Sequence, residues 1–429
     1  MPAMDDAPTQ DQPEKPVLRR MLDFFGLKRG IVGLLGMVIL VGMGEHMAEQ
    51  FLPKYLLLLG GGFISVGFLN GLDNLLGALY SYPGGYLSDK LGTKRALLVF
   101  NLMAMFGYAL VIFIQAWWAV IVGAIFFLSW TAISLPATMS LVAKVLPKNK
   151  RTMGVSMHSL VRRVPMALGP VMGGGLIVAF GLQNGIRLAF AAAFLLAVIA
   201  IVLQHKMISE DRPKGRINAP KAEKNPARLF RRMSPSLKNL LVADILVRFC
   251  EQIPYAFVVV WATGWLVDGV AAHRVVNELQ FGFLRAIEMA TAIAVYIPVA
   301  YLADKSGKKP FVVMTFGFFT LFPLLLLFSQ SFELLIFAFI LRGLKEFGEP
   351  TRKALIMDLA PEDAKAGMFG LYYLIRDSIV SLAAFGGAFL WMVSPKVNFL
   401  TAFGCGILGT IWFAFRGQDL ASGAVHAGR

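Results

Sequence analysis

The chain has 429 residues, 57% of them hydrophobic and 16% charged, with 35 Phe and a formal net charge of +15. A soluble domain carries about a quarter charged residues, so most of this chain belongs in lipid. Its basic residues stand between apolar runs, which points to an anionic membrane surface and excludes nucleic acid as the partner. The two cysteines, Cys250 and Cys405, each lie in an apolar run, and no CxxC occurs, so neither a disulfide framework nor a metal or redox site is expected.

Residues 1–29 are polar, with no apolar core ahead of a cleavage site, so no cleaved signal peptide is expected. A spanning helix needs roughly 20 mostly apolar residues. Six such runs follow, at 30–57, 64–87, 95–115, 118–146, 151–177 and 184–204. A basic linker, 205–237, precedes six more at 238–266, 278–303, 310–328, 331–358, 365–391 and 397–416, and 417–429 form a tail. The expected fold is an all-α membrane protein of two pseudo-symmetric six-helix bundles, 30–204 and 238–416, around a central cavity. The connections 88–95, 144–151, 205–238 and 304–309 are rich in Lys and Arg, whereas "LGGGFIS", "IQAWW" and "SQSFE" carry neither. That asymmetry predicts an inner (plasma) membrane protein with both termini cytoplasmic.

The two bundles repeat one another. Asp89 and Asp304 lie 215 residues apart, as do Pro83 and Pro298, and Asp73 and Glu288. "EQFLPKY" from Glu49 matches "EQIPY" from Glu251, and a Gly stands nine residues before both Arg163 and Arg376. Such duplication is a known route to alternating-access transporters.

The stretch Gly85-x-Leu87-Ser88-Asp89-Lys90-x-Gly92-Thr93-Lys94-Arg95 resembles the loop between helices two and three of the major facilitator superfamily. Its second copy, with Asp304, Lys305, Gly307 and Lys308, stands between helices eight and nine, where that family has its degenerate repeat. The resemblance implies a gating element in which Asp89 and Asp304 meet neighbouring helix ends or cations. Gly92 and Gly307 permit the turns, and the basic residues hold the loop at the cytoplasmic face. The plainer alternative is a charged turn that only sets topology. "ALGPVMGGG" (Ala167 to Gly175) resembles the end of the helix-five motif of proton-coupled exporters, with simple helix packing as the alternative.

The spans contain many ionisable residues: Glu45, Glu49, Asp73, Arg162, Arg163, Arg248, Glu251, Arg285, Glu288, Arg342, Lys345, Glu346, Glu349, Arg376 and Asp377. Helices three, six, nine and twelve carry almost none. The family resemblance implies that those four face lipid while the other eight line the cavity. Each intramembrane charge costs at least about 2.5–3.5 kcal/mol, so the set must be paired, hydrated or used. At about 1.5 Å per residue, Arg163, Arg248 and Arg376 lie about 15–18 Å in from the basic end. Arg342 reaches the same level, which suggests a central basic belt.

Used, that belt binds an anionic or zwitterionic solute through paired guanidinium forks, with Glu45, Glu49 or Glu251 carrying a coupling proton. Paired, seven bases and eight acids nearly balance, with Asp73–Arg376 and Glu288–Arg163 as candidate bridges between bundles. His46 and His158 are either proton shuttles or packing residues. Trp117 and Trp118 fit an interfacial belt.

The sequence holds no nucleotide-binding P-loop, no G-x-S-x-G and no HExxH, and only five His. An enzyme is therefore not expected, nor is a cofactor. The reading is a secondary active transporter that moves a small organic anion or an amphiphile by alternating access, acting as a monomer and driven by an ion gradient, most simply of protons. The alternatives are a cationic drug antiporter and a non-transporting receptor.

Overall fold

The computed structural model describes residues 29–128, 130, 134, 138, 151–208, 226–267, 270–306, 308–361 and 365–418. Side chains at 29, 81–85, 88, 89, 151–160, 226, 266, 267, 270–272, 296, 297, 299–301, 303–306, 365 and 366 fall outside the description. The first bundle comprises α1 (Arg29–Glu49), α2 (Leu52–Leu58), α3 (Gly62–Leu91), α4 (Thr93–Phe113), α5 (Trp117–Phe127), α6 (Arg151–Phe180) and α7 (Leu182–Met207). After a short α8 (Pro226–Arg232) come α9 (Pro235–Gln252), α10 (Phe257–Thr263), α11 (Glu278–Ser306), α12 (Lys309–Phe328), α13 (Phe332–Leu344), α14 (Glu349–Leu359), α15 (Lys365–Val393) and α16 (Pro395–Arg416).

Among the described residues, nine helices are long and apolar enough to cross a membrane. The remaining expected spans are accounted for differently. The run 118–146 lies mostly outside the described residues. The run 278–303 is one 29-residue helix, α11, about 43 Å long at ~1.5 Å per residue. The run 331–358 is a helix interrupted by a 3-10 turn, Lys345–Gly348, between α13 and α14.

Two other spans read as continuous are also broken, both at the repeated proline motif. The first helix stops at Glu49, turns through Gln50 and Phe51, and restarts as α2 with Pro53 in its first turn. Pro53 has no N–H to lose there. The seventh stops at Gln252, turns through Ile253–Ala256 around Pro254, and restarts as α10. It ends at Thr263 rather than 266, because Gly264 opens a two-stranded hairpin, Gly264–Val267 (β1) with Val270–Arg274 (β2), paired Trp265 to Ala272. The hairpin is the one departure from the all-α expectation among the described residues.

Within the first bundle α1 packs on α6 and α7; within the second α9 packs on α15 and α16. The bundles meet along two seams, α6 against α11 and α3 against α15. Small residues allow the close approach. A Cβ on Gly67 would lie 2.5 Å from Ala388 Cβ, and one on Gly282 would lie 2.5 Å from Pro170 O. The core beside the seams is aromatic: Phe51 meets Phe281 edge-on at 6.1 Å, and Phe257 stacks on Trp391 at 4.7 Å. The end of the molecule bearing Lys90, Lys94, Arg95, Lys206 and Lys308 is the basic end below.

Candidate functional site

The intramembrane charges of the second bundle, Glu346 apart, form one continuous network. One buried centre is Asp244 on α9, 1% exposed. Asp244 is ion-paired with Arg352 of α14, accepts from Tyr372 OH at 3.0 Å and Arg376 Nη1 at 3.4 Å, and lies 3.9 Å from Arg248 Nε. Glu349 holds Arg352 at 2.7 Å and Arg248 at 3.4 Å. Arg248 also donates to Glu251 at 2.6 Å, and Lys345 donates to Glu251 at 2.7 Å. Lys345 lies 3.5 Å from Glu288, which pairs with Arg285 and sits 3.3 Å from Arg342. Arg376 ends the chain on Asp377 at 2.7 Å, its guanidinium 4.2 Å from the Tyr373 ring centre. Buried charges are tolerated only when matched in this way.

The pairing corrects the expected basic belt. Arg248, Arg342 and Arg376 are matched by acids at their own level. The bridges expected between bundles do not form: Arg376 takes Asp244 and Asp377 rather than Asp73, and Glu288 takes Arg285, Arg342 and Lys345 rather than Arg163. The reason is proximity, since helical neighbours three or four residues apart and the adjoining helices of one bundle offer closer partners. Arg163 does cross between bundles, to Glu346 at 3.0 Å.

The first bundle is different. His46 Nδ1 and Glu49 Oε2 are 2.6 Å apart. Glu45 is 4% exposed on the same helix, and its field reaches Arg162 and Asp73. Among the described residues, Asp73 and Arg162 form no hydrogen bond or ion pair. His158 has no described side chain.

Between the bundles lies a cavity. The first bundle contributes Glu49, Asn70 and Asp73, and the second Tyr255 and Arg342; Val66, Leu69, Val258, Val259 and Phe281 are among its apolar walls. The site therefore has an acidic wall and a basic wall. Both broken helices reach it, through Gln50 and Pro53 on one side and Tyr255 and Ala256 on the other.

On the side away from the basic end the bundles are tied together. Lys54 Nζ donates to Glu278 at 2.5 Å and to Thr263 O at 3.3 Å. Asn70 donates to Gln252 O at 2.9 Å, and Asn74 to Gln252 Oε1 at 3.1 Å. The glycines of "ALGPVMGGG" serve packing: Gly169 and Gly173 lie against His46 and Met47 of α1, and Gly174 against Glu278 and Leu279 of α11.

The repeated charged motif is more helical than expected. α3 runs to Leu91 and α4 starts at Thr93, so Asp89 and Lys90 sit in the last turn of a helix and the connection is Gly92 alone, at φ 84°. That backbone angle is open to glycine and strained for other residues. Lys90 lies 6.0 Å from the centre of the Tyr86 ring. Lys94 donates to His205 O at 3.0 Å, and Arg95 is exposed. In the second copy Lys308 pairs with Asp358. Gly85 and Asp89 lie in α3, and Asp304 and Lys305 in α11, without described side chains; Gly307 lies outside the described residues.

Sequence reasoning does not single out Asp244, Arg352, Tyr372, Lys54 or Glu278. Two of them carry a signal. Asp244 stands four residues before Arg248, and Arg352 three after Glu349, spacings that stack charges on one helix face.

The family model described as Major Facilitator Superfamily matches residues 30–269 and 255–425. The uncharacterized MFS-type transporter MJ1317 of Methanocaldococcus jannaschii is 23% identical over 377 residues, covering 86% of this chain and 90% of that protein. The solved peptide transporter POT in complex with sulfate superposes with a TM-score of 0.71 at 14% identity, covering 90% of this chain and 93% of its own. A POT family transporter in complex with 5-aminolevulinic acid gives 0.67 at 13% identity, covering 89% and 95%.

Proposed function

This chain belongs to the major facilitator superfamily and is a multi-pass membrane transporter of that type, and from that premise we propose that it moves a small zwitterionic organic solute by proton-coupled alternating access, acting as a monomer. The observation that carries the reading is the polarity of the central cavity: Glu49 and Asp73 on one wall, Arg342 and Tyr255 on the other. An ammonium group suits the acidic wall and a carboxylate the Arg342 fork. The sulfate and 5-aminolevulinic acid in the fold neighbours' structures fit such chemistry.

In the proposed cycle the basic end faces the cytoplasm, and the ties at Lys54–Glu278 and Asn70–Gln252 close the outer end. Asp73 is the proposed proton carrier, since it lines the cavity beside Glu49 and forms no hydrogen bond or ion pair among the described residues. The charge network of the second bundle is internal to it. That bundle can rock as a body without separating those pairs. The crossing contacts at Lys54, Asn70 and Arg163 are the ones that must break.

The test is counterflow in proteoliposomes loaded with amino acids, dipeptides or amino-carboxylates, with and without a pH gradient. The expected result is exchange of a zwitterion, concentrated by an inward proton gradient, lost in Arg342→Gln and uncoupled from protons in Asp73→Asn. A second reading, export of a lipophilic cation, draws on the apolar walls beside Glu49 and Asp73. Cation efflux that survives Arg342→Gln and needs Asp73 would replace the first reading with the second.

A further inference from the structure

The motif residues Lys94 and Arg95 do not face the seam between the bundles. They line a separate groove between the first turn of α4 and the last turns of α7. Its rim is basic: Lys94, Arg95, His205 and Lys206. Its floor includes Leu98 and Val202, and among the described residues no acidic one lines it.

The surroundings say what kind of molecule fits. Below the groove the outward surfaces of both helices are apolar and exposed, with Leu102 at 51% on α4 and Leu195 at 60% on α7. A ligand for this place has an anionic head of phosphate type at the basic rim and long hydrocarbon running down the helices. A small soluble anion would use the rim and leave the apolar floor uncovered. Basic pockets between membrane helices are a recognised form of anionic headgroup site.

We infer that this groove is a binding site for an anionic phospholipid of the leaflet at the basic end. The site is built rather than incidental, because the two helices that form it are clamped together at its mouth. Lys94 Nζ donates to His205 O at 3.0 Å, and Gln204 Nε2, 2% exposed as a residue, donates to Lys94 O at 2.5 Å. Behind the clamp Gln204 Oε1 accepts from Asn101 at 3.2 Å, and Asn101 Oδ1 accepts from Trp130 at 2.8 Å. The headgroup site also lies one residue, Gly92, from α3, the helix that packs on α15 of the other bundle. A bound lipid is thereby placed to bias the seam. This inference stands apart from the identity of the transported solute.

The test uses the full chain in nanodiscs or detergent, with phosphatidylglycerol and phosphatidylcholine titrated under native mass spectrometry. The wild type should retain phosphatidylglycerol in preference to phosphatidylcholine. Arg95→Gln/Lys206→Gln should weaken phosphatidylglycerol binding about thirtyfold, at roughly fivefold per cationic charge removed. The same change of charge at Arg228→Gln/Arg231→Gln, elsewhere at the basic end, should leave it within about twofold. Arg95→Lys/Lys206→Arg should retain binding. In the wild type alone, a photoactivatable phosphatidylglycerol should crosslink to 94–98 and 201–206, which keeps the question open to an answer if the glutamine variant folds poorly. Equal loss in the control pair, no preference for the anionic lipid, crosslinks confined to other helices, or displacement by millimolar inorganic phosphate would each overturn the inference.

Discussion

Replacing Asp244 by Asn removes one charge from the centre of the second bundle. Asp244 and Arg352 are each 1% exposed, and Asp244 also holds Arg376 Nη1 at 3.4 Å and Tyr372 OH at 3.0 Å. Asn keeps the shape and can still accept from Tyr372. What is lost is one of the two counter-charges of each of two buried guanidinium groups, Arg352 keeping Glu349 and Arg376 keeping Asp377. Breaking a buried pair from one side costs about 3–5 kcal/mol, because the remaining charge is stranded away from water. For a unit of 150–250 residues, ~2–4 °C accompanies each kcal/mol, so the thermal midpoint should fall by about 6–20 °C. The double variant Asp244→Leu/Arg352→Met removes one charge of each sign, leaving Arg248 with Glu251 and Glu349, and Arg376 with Asp377. Replacing a whole buried pair by apolar groups is often neutral or better, so the double variant should recover most of the loss. Thermal unfolding in detergent, followed by tryptophan fluorescence, measures all three proteins. A single variant as stable as the wild type, or a double variant worse than the single, would refute the view that charge matching holds this bundle together.

Three further outcomes are expected. Lys54→Glu should open the outer end, raising thiol labelling of a cysteine placed at Asn70, and Lys54→Glu/Glu278→Lys should restore protection; unchanged labelling in the single variant would mean that this pair is not a closure. Gly282→Val should prevent α11 from seating on Pro170 and Val171 and abolish assembly, read as loss of a monodisperse peak in size-exclusion chromatography, whereas Gly317→Val, where an added Cβ meets nothing within 4 Å, should be tolerated. Burial against the Trp261 ring holds the His273 imidazole below its usual pKa, so the unfolded chain takes up this proton first and stability should fall as pH drops below about 6.5. His273→Asn, which also tolerates the positive φ of 47°, should flatten that part of the pH–stability curve.

The spans are legible in the sequence because an apolar run of membrane length is seldom anything but a crossing helix. The breaks at Phe51 and Pro254 are not, since proline within an apolar run is compatible with a kinked span as well as a restarted helix. Which charges meet is less legible still. Arg376 has Asp377 beside it in sequence, yet its other acid, Asp244, lies 132 residues away and is chosen by the packing of α9 on α15. Lys94 and Arg95 show the same limit: a motif fixes their position along the helix, while the rotation of α4 against α7 decides that they face the groove rather than the seam.

The two proline motifs connect the duplication to the cavity. "EQFLPKY" and "EQIPY" occupy the same place in the two bundles, and each interrupts the first helix of its bundle beside the central site. Their acids have diverged in environment. Glu251 is held by Arg248 at 2.6 Å and Lys345 at 2.7 Å, fixed within a cationic network. Glu49 has His46 at 2.6 Å and faces the cavity beside Asp73. One copy of the motif therefore sits within the charge network of the second bundle, and the other presents a carboxylate to the cavity. An interrupted helix at that level frees backbone groups toward a cavity, where an irregular chain is tolerated in a membrane. The duplication thus supplies two similar helix interruptions, and the different charges beside them give the first bundle the acidic wall and the second the basic one.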